Sequence, residues 1–370
     1  MRRYIALVAT ALCAVLLIGA ASASRPYRWP IPSWMIAPPD AVTETMSDEK
    51  VALGRALFYD TRLSADGSMS CASCHQQEKA FTDGQSTHLG VHGDPGLRSV
   101  PSIVNLAYMP VLNWANPNLN KIEAQTLIPL FGDAPIEMGM QGKEQQLFAV
   151  LGRDDRMRGL LRSAYPKKTH FDMEALTGGL AAFVRSIVSF DSPYDRYKRM
   201  GDANAISASA KRGEALFFGE RLECSHCHGG PTFTDNFQSR TLAFAEVAFH
   251  NTGLYNLDGK GGYPARNHGI RDVTGKPEDE GKFRAPSLRN VALTAPYMHD
   301  GSIATLEEVI RDHYAKRGRA ASSANGPSPI RDPLVAGFNL DGQDLHDVVE
   351  FLKSLTDEGL LSNPSYARPR

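Results

Sequence analysis

The chain has 370 residues, 42% hydrophobic and 22% charged, with a formal net charge of -1 at pH 7. Such a length suits about two domains of ~150 residues each, and the composition is that of a soluble globular protein. The balanced charge argues against a nucleic-acid partner and against a polybasic membrane anchor.

In chain order, the first element reads as a signal peptide over residues 1–23. Arg2 and Arg3 give it a positive end, residues 5–18 an apolar core, and Ala21-Ser22-Ala23 a small-residue cleavage site. Cleavage after Ala23 and export to the periplasm are expected. An uncleaved anchor is the alternative, but the apolar run is short for a span and no later run is long enough to cross a bilayer. Residues 24–46 form an N-terminal extension in which Trp29 and Trp34 receive no role. Of five cysteines, Cys13 falls in the signal. The other four lie in Cys71-Ala-Ser-Cys74-His75 and Cys224-Ser-His-Cys227-His228, so none is left for a structural disulfide.

Cys-x-x-Cys-His is the attachment pattern of a c-type haem: two thioethers tether the macrocycle and the adjacent His lies under the iron as axial ligand. A zinc site and a dithiol redox pair are the competing readings. Neither requires a His directly after each pair. The two motifs sit in copies of one longer pattern. The first copy has Gly54, Leu57, Phe58, Arg62 and Leu63 before the motif and Phe81-Thr82-Asp83 after it. The second has Gly213, Leu216, Phe217, Arg221 and Leu222 before and Phe233-Thr234-Asp235 after. This repeat predicts two homologous units.

Each unit is expected to open with a helix, starting near Ser47 (followed by Asp48 and Glu49) and near Ser207. Each is expected to close with an amphipathic helix. Leu176, Leu180, Phe183, Val184 and Ile187 form one apolar face; Leu345, Val348, Val349, Leu352 and Leu355 form the other. The boundary falls in the stretch from Met200 to Ala208, giving an N-terminal unit over 47–203, a C-terminal unit over 204–358 and a tail over 359–370. The Gly/Pro-rich stretches 259–281 and 318–333 read as loops. The fold class is mainly α: two cytochrome c-like domains, each with one haem.

These residues resemble the bacterial di-haem cytochrome c peroxidases and MauG enzymes over about 47–357. The resemblance is carried by both haem motifs, by Pro135-Ile-Glu137-Met138, and by Phe283-Arg-Ala-Pro-Ser-Leu-Arg-Asn290 followed by Leu293-Thr-Ala-Pro-Tyr-Met-His-Asp-Gly301. Trp114-Ala-Asn-Pro and the run from Ala248 to Asn256 are most similar to the MbnH-like branch of methanobactin operons.

The resemblance implies peroxide chemistry at the haem of His75, with Glu137 as distal acid–base group and Pro129 limiting access to the iron. A solvated loop carboxylate is the alternative for Glu137. Trp114 matches a bridging tryptophan between the haems, or else a packed aromatic. At the second haem the resemblance places the far ligand fourteen residues after His299. That gives His313, where the peroxidases have Met and MauG has Tyr; Tyr314 is the fallback if the register slips by one. Thr305-Leu-Glu-Glu308 forms a capping box ahead of it. His92 stands near the residue that caps the resting iron in some relatives, and an uncapped iron is expected here. His88 and His250 are read as structural or surface residues. The resemblance also implies a calcium ion near Thr294 and Pro296, with Ser99 in place of the family's Asn, a poorer ligand.

The function so implied is a periplasmic oxidoreductase that activates hydrogen peroxide and oxidises a partner protein, through tryptophan, by long-range electron transfer via high-valent iron. The alternatives are a peroxidase fed by a small cytochrome or cupredoxin, and a plain electron carrier.

Overall fold

The computed structural model describes residues 27–245 and 247–370. The signal-peptide expectation lies outside them. Among the described residues there is no strand, only helices, turns and isolated bridges, and no helix is long and apolar enough to cross a membrane.

The first unit is built on α1 (Asp48–Phe58), α2 (Ile122–Phe131), α3 (Glu144–Arg153), α4 (Asp155–Ala164) and α5 (Met173–Ser186). The second is built on α6 (Pro193–Met200), α7 (Ala208–Phe218) and α8 (Gly342–Lys353). The expected starts are found: the Ser47 hydroxyl accepts the Lys50 N–H at 3.2 Å and the Ser207 hydroxyl accepts the Ala210 N–H at 3.0 Å. Such caps each contribute about 1 kcal/mol.

In each unit the opening and closing helices cross at a glycine. A Cβ on Gly54 of α1 would overlap the carbonyl oxygen of Gly179 in α5, and one on Gly213 of α7 would overlap that of Asp347 in α8. Two backbones touch there, which only a residue without a side chain permits. The crossing explains why the repeat retains glycine inside a helix, where it is otherwise unfavourable. Gly213→Ala is expected to cost about 1–3 kcal/mol through overpacking, read as a lower thermal midpoint. An unchanged midpoint would contradict the crossing geometry.

Around the crossings lie two cores. Leu53, Leu57, Phe58, Leu176, Leu180 and Phe183 belong to the first. Phe217, Phe233, Val348, Phe351, Leu352 and Leu355 belong to the second, joined by Tyr194 of α6. The C-terminal segment folds back onto the first unit. Leu360 and Tyr366 enter its core, and the Tyr366 hydroxyl donates to Ser186 O at 3.1 Å. The N-terminal extension also packs down, with Trp34 and Met35 against Tyr108 and Phe190.

One buried ion pair ties α6 to the second haem segment. Arg289 holds both oxygens of Asp195 at 2.8 and 2.9 Å, and the two side chains are 2% and 3% exposed. Burial alone would raise the Asp195 carboxyl; Arg289, with Ser192, outweighs it and leaves the group below the usual carboxylate value. A carboxyl lowered in the folded state contributes stability above its unfolded value of ~3.9 and loses it as pH falls through the folded value. Asp195→Asn is therefore expected to cost about 3–5 kcal/mol at neutral pH, because it strands a buried guanidinium. Denaturant titration should show a deficit that shrinks toward acid; a pH-independent deficit would count against the charge argument.

Candidate functional site: two haem crevices

The two Cys-x-x-Cys-His segments arrive at the same local structure. Cys71–Cys74 form a single helical turn and Cys224–His226 a short 3-10 turn. In the first unit His75 Nδ1–H donates to Phe81 O at 2.9 Å; in the second, His228 Nδ1–H donates to Phe233 O at 3.2 Å. That bond fixes the tautomer and leaves Nε2 with its lone pair free for a metal. Burial also holds both rings below the ordinary histidine value, so they are neutral. Phe81 and Phe233 both take a left-handed backbone (φ 62° and 53°) to present those carbonyls. Non-glycine residues adopt that region at a cost and mostly where function demands it.

The repeat runs further than the sequence reading recognised. Ser102 donates to Ala80 O at 2.7 Å and Ser287 to Thr232 O at 2.6 Å. Asn105 and Asn290, both at φ 62°, each open a 3-10 turn. The signal was present as Pro101-Ser-Ile-Val-Asn-Leu-Ala and Pro286-Ser-Leu-Arg-Asn-Val-Ala.

The residues present fit covalent haem and disfavour its rivals. The four cysteines are free. Burial pushes the Cys71, Cys74 and Cys224 thiols up to about 12, and each pair is followed directly by a neutral histidine, which haem attachment requires and neither rival does. Next to Cys224, Cys227 and His228 lies a large cavity whose wall also includes Arg284. Arg284 is buried and, among the described residues, its Nε and Nη1 donate only to the carbonyls of Asn113 and Ala285; burial lowers it to about 10. A buried cation without a carboxylate suits the propionates of a haem.

The second cavity is walled by both units. Ser99 and Trp114 come from the first, Thr294, Pro296 and Tyr314 from the second. Trp114 Nε1–H donates to Ser99 O at 2.8 Å, so the indole is fixed at the junction. The calcium candidates Ser99, Thr294 and Pro296 share this wall, but they bring neutral oxygens, the Ser99 carbonyl is already engaged by Trp114, and no cluster of acidic groups accompanies them among the described residues.

On the far side of the second cavity the wall carries Tyr314, the fallback, and not His313. The capping box at Thr305 and Glu308 is formed, but the helix it starts opens into a π-turn over Val309–Tyr314. A π-turn spends more residues per turn than an α-turn. Ile310 and Tyr314 therefore both reach the cavity wall, and His313 does not. His313 is fully buried behind it and its Nδ1 accepts the Arg319 N–H at 2.8 Å. The ring proton then sits on Nε2, the atom that would have to bind iron. Burial raises the Tyr314 phenol well above the usual tyrosine value.

At the first crevice, residues 135–140 are clamped. Met138 N–H donates to Pro129 O at 2.9 Å, Val91 N–H to Glu137 O at 2.7 Å, and Ala65 N–H to Met138 O at 2.9 Å. Pro129 thus stands beside the Glu137 loop, and the Glu137 charge acts on both Cys74 and His75. His92 is exposed. His88 and His250 are more than surface residues. His250 bridges Asp235 at 2.6 Å and Asp332 at 2.8 Å and is raised to about 11 by Asp235, by Cys227 and by Asp332. Cys227, Asp235 and His250 have ligand atoms within 4.8 Å of one another; a thioether at Cys227 would remove that sulfur as a thiolate. His88 meets Glu137.

Comparison with known proteins agrees with this geometry. Residues 48–204 match the family described as di-haem cytochrome c peroxidase. The methylamine utilization protein MauG of Methylorubrum extorquens is 34% identical over 323 residues, covering 86% of this chain and 82% of that protein. A cytochrome-c peroxidase of Denitromonas iodatirespirans is 32% identical over 366 residues, covering 95% and 92%. The crystal structure of a MauG-like protein associated with microbial copper homeostasis superposes with a TM-score of 0.88 at 44% identity, covering 93% of this chain and 99% of that one. The di-haem peroxidase BthA of Burkholderia thailandensis, at 21% identity and TM-score 0.66 over 88% of this chain and 91% of that one, shares the fold. With two cytochrome c-like units, paired haem crevices and relatives of this extent, the chain belongs to the MauG and di-haem cytochrome c peroxidase family of haem-dependent oxidoreductases.

Proposed function

We propose that the chain is an exported periplasmic enzyme with two covalent c-type haems that uses hydrogen peroxide to oxidise a tryptophan of a partner protein. Cys71 and Cys74 would tether the first haem over His75; Cys224 and Cys227 would tether the second over His228. When bound, the haems would supply the redox chemistry of peroxide activation and of holding the oxidising equivalent. The chain's residues do the rest. Glu137 moves a proton between the peroxide oxygens, Pro129 narrows the approach, and Trp114 links the two crevices. The unit of α1 to α5 and the unit of α6 to α8 divide this labour.

The observation that carries the reading is Tyr314 on the wall of the second cavity. A phenol oxygen there matches MauG and differs from the Met of the peroxidases, whose thioether raises the potential and suits electron uptake from a small donor. The likeness to a MauG-like protein associated with copper homeostasis supports the same branch. Calcium has no step in this scheme.

The test is to treat the purified holoprotein with stoichiometric peroxide beside candidate periplasmic partners. A partner gaining oxygen mass on a tryptophan, with no need for reduced cytochrome c, is the expected result. Rapid turnover with reduced cytochrome c, and unmodified partners, would make it a peroxidase instead.

A further inference from the structure

His88 was assigned no part in the chemistry, yet the structure sets it against Glu137. His88 Nε2 stands 3.5 Å from Glu137 Oε2, and the side chains are 12% and 26% exposed. Neither ring nitrogen of His88 has a hydrogen-bond partner among the described residues. Burying an imidazole with both nitrogens unpartnered costs free energy, and a small ring rotation toward Glu137 recovers it as a charge-assisted bond.

The backbone holds both residues in place. Gly96 N–H donates to His88 O at 2.8 Å and Val91 N–H to Glu137 O at 2.7 Å. Glycine is required for the close approach: a Cβ on Gly96 would lie 2.6 Å from His88 Cε1, and one on Gly90 would overlap Ile136 O. The charged groups acting on His88 are Glu137, which raises it above the ordinary histidine value against the effect of burial, and Asp83, which adds to that. Both residues act on His75 as well, so the pair belongs to the first crevice.

We propose that His88 is a positioning residue for Glu137: its imidazolium holds the carboxylate oriented while Glu137 shuttles a proton between the two oxygens of peroxide. The proton that Glu137 takes from one oxygen is the one it returns to the other, so His88 ends the cycle as it began. The inference rests on the reading of Glu137 as the distal acid–base group.

The test uses holoprotein carrying His88→Leu, His88→Gln or Glu137→Gln, with two readouts across pH. One is the rate of the peroxide reaction under single-turnover conditions. The other is cyanide affinity of the first haem, since HCN binding leaves a proton on the distal base. His88→Leu should slow the peroxide reaction by ~10–100-fold, the scale for losing an outer-shell partner. His88→Gln keeps a donor but no charge; it should restore most of the rate and lack the alkaline fall that the parent shows as His88 deprotonates. Cyanide affinity should lose the same pH inflection. If both His88 variants keep the parent's rate and pH profile while Glu137→Gln has lost the reaction, the His88 role is wrong and the site reading stands. If Glu137→Gln also reacts normally, the site reading fails and takes this inference with it. Should His88→Leu not fold, the His88→Gln pH profile decides alone.

Discussion

Glu137→Gln is expected to slow the reaction with peroxide by ~10²–10⁴-fold, the usual contribution of a positioned acid–base group. Glutamine preserves the volume and the backbone clamp from Val91 and Pro129. It removes the ability to accept and return a proton, together with the charge that faces His88. Stopped-flow mixing of the oxidised holoprotein with peroxide measures this directly, and the resting optical spectrum should be unaltered because His75 keeps its bond to Phe81 O. A parent-like rate would mean that Glu137 is a loop carboxylate and that the proton moves elsewhere.

The second large effect concerns the far side of the other haem. Tyr314→Phe is expected to remove the oxygen donor from the second iron, seen in EPR as loss of its low-spin signal in favour of a high-spin one. Storage of the oxidising equivalent should shorten by ~10–100-fold, judged by the scale of perturbing a metal's coordination environment. His313→Ala is the companion variant. It should leave the low-spin signal in place and cost stability, since it empties a fully buried site and strands the Arg319 N–H. If His313→Ala, and not Tyr314→Phe, abolished the low-spin signal, the π-turn assignment would be wrong and the count from His299 right. The two variants separate neighbouring residues that no composition argument distinguishes.

The two halves are closed by different contacts. The second unit carries the buried Arg289–Asp195 pair. The first is closed by a chain segment from the far end of the protein, through Leu360 and Tyr366. The tail is thus structural, although as a sequence it offers only a short polar stretch after the last amphipathic helix.

Much of this was legible from residues alone. Spacing is chemistry in Cys-x-x-Cys-His, so two haem sites, with His75 and His228 as their proposed axial ligands, could be read directly. So could the helix starts at Ser47 and Ser207, because capping is local, and the apolar faces of the closing helices, because burial leaves a periodic trace. The repeat was legible in part: Gly54 and Gly213 stood out, and their reason, two backbones in contact, waited for the crossing itself. Three features were decided by tertiary structure. Which of His313 and Tyr314 faces the cavity depends on a π-turn, a change of helical pitch that leaves no residue signature. The meeting of His88 with Glu137 joins loops 49 residues apart, the difference of their positions, through glycine-permitted close approach. The placing of Trp114 against Ser99 at the junction of the two units likewise needs both folded halves. The sequence by itself therefore determined the two Cys-x-x-Cys-His motifs, the family's two haems that they imply, and the histidine each motif places beside its cysteines. Only the folded chain decided which side chains gather at each motif, Glu137 with His88 at the first and Tyr314 at the second, because an adjacent histidine is set by bonds along the chain and a facing side chain by packing across it.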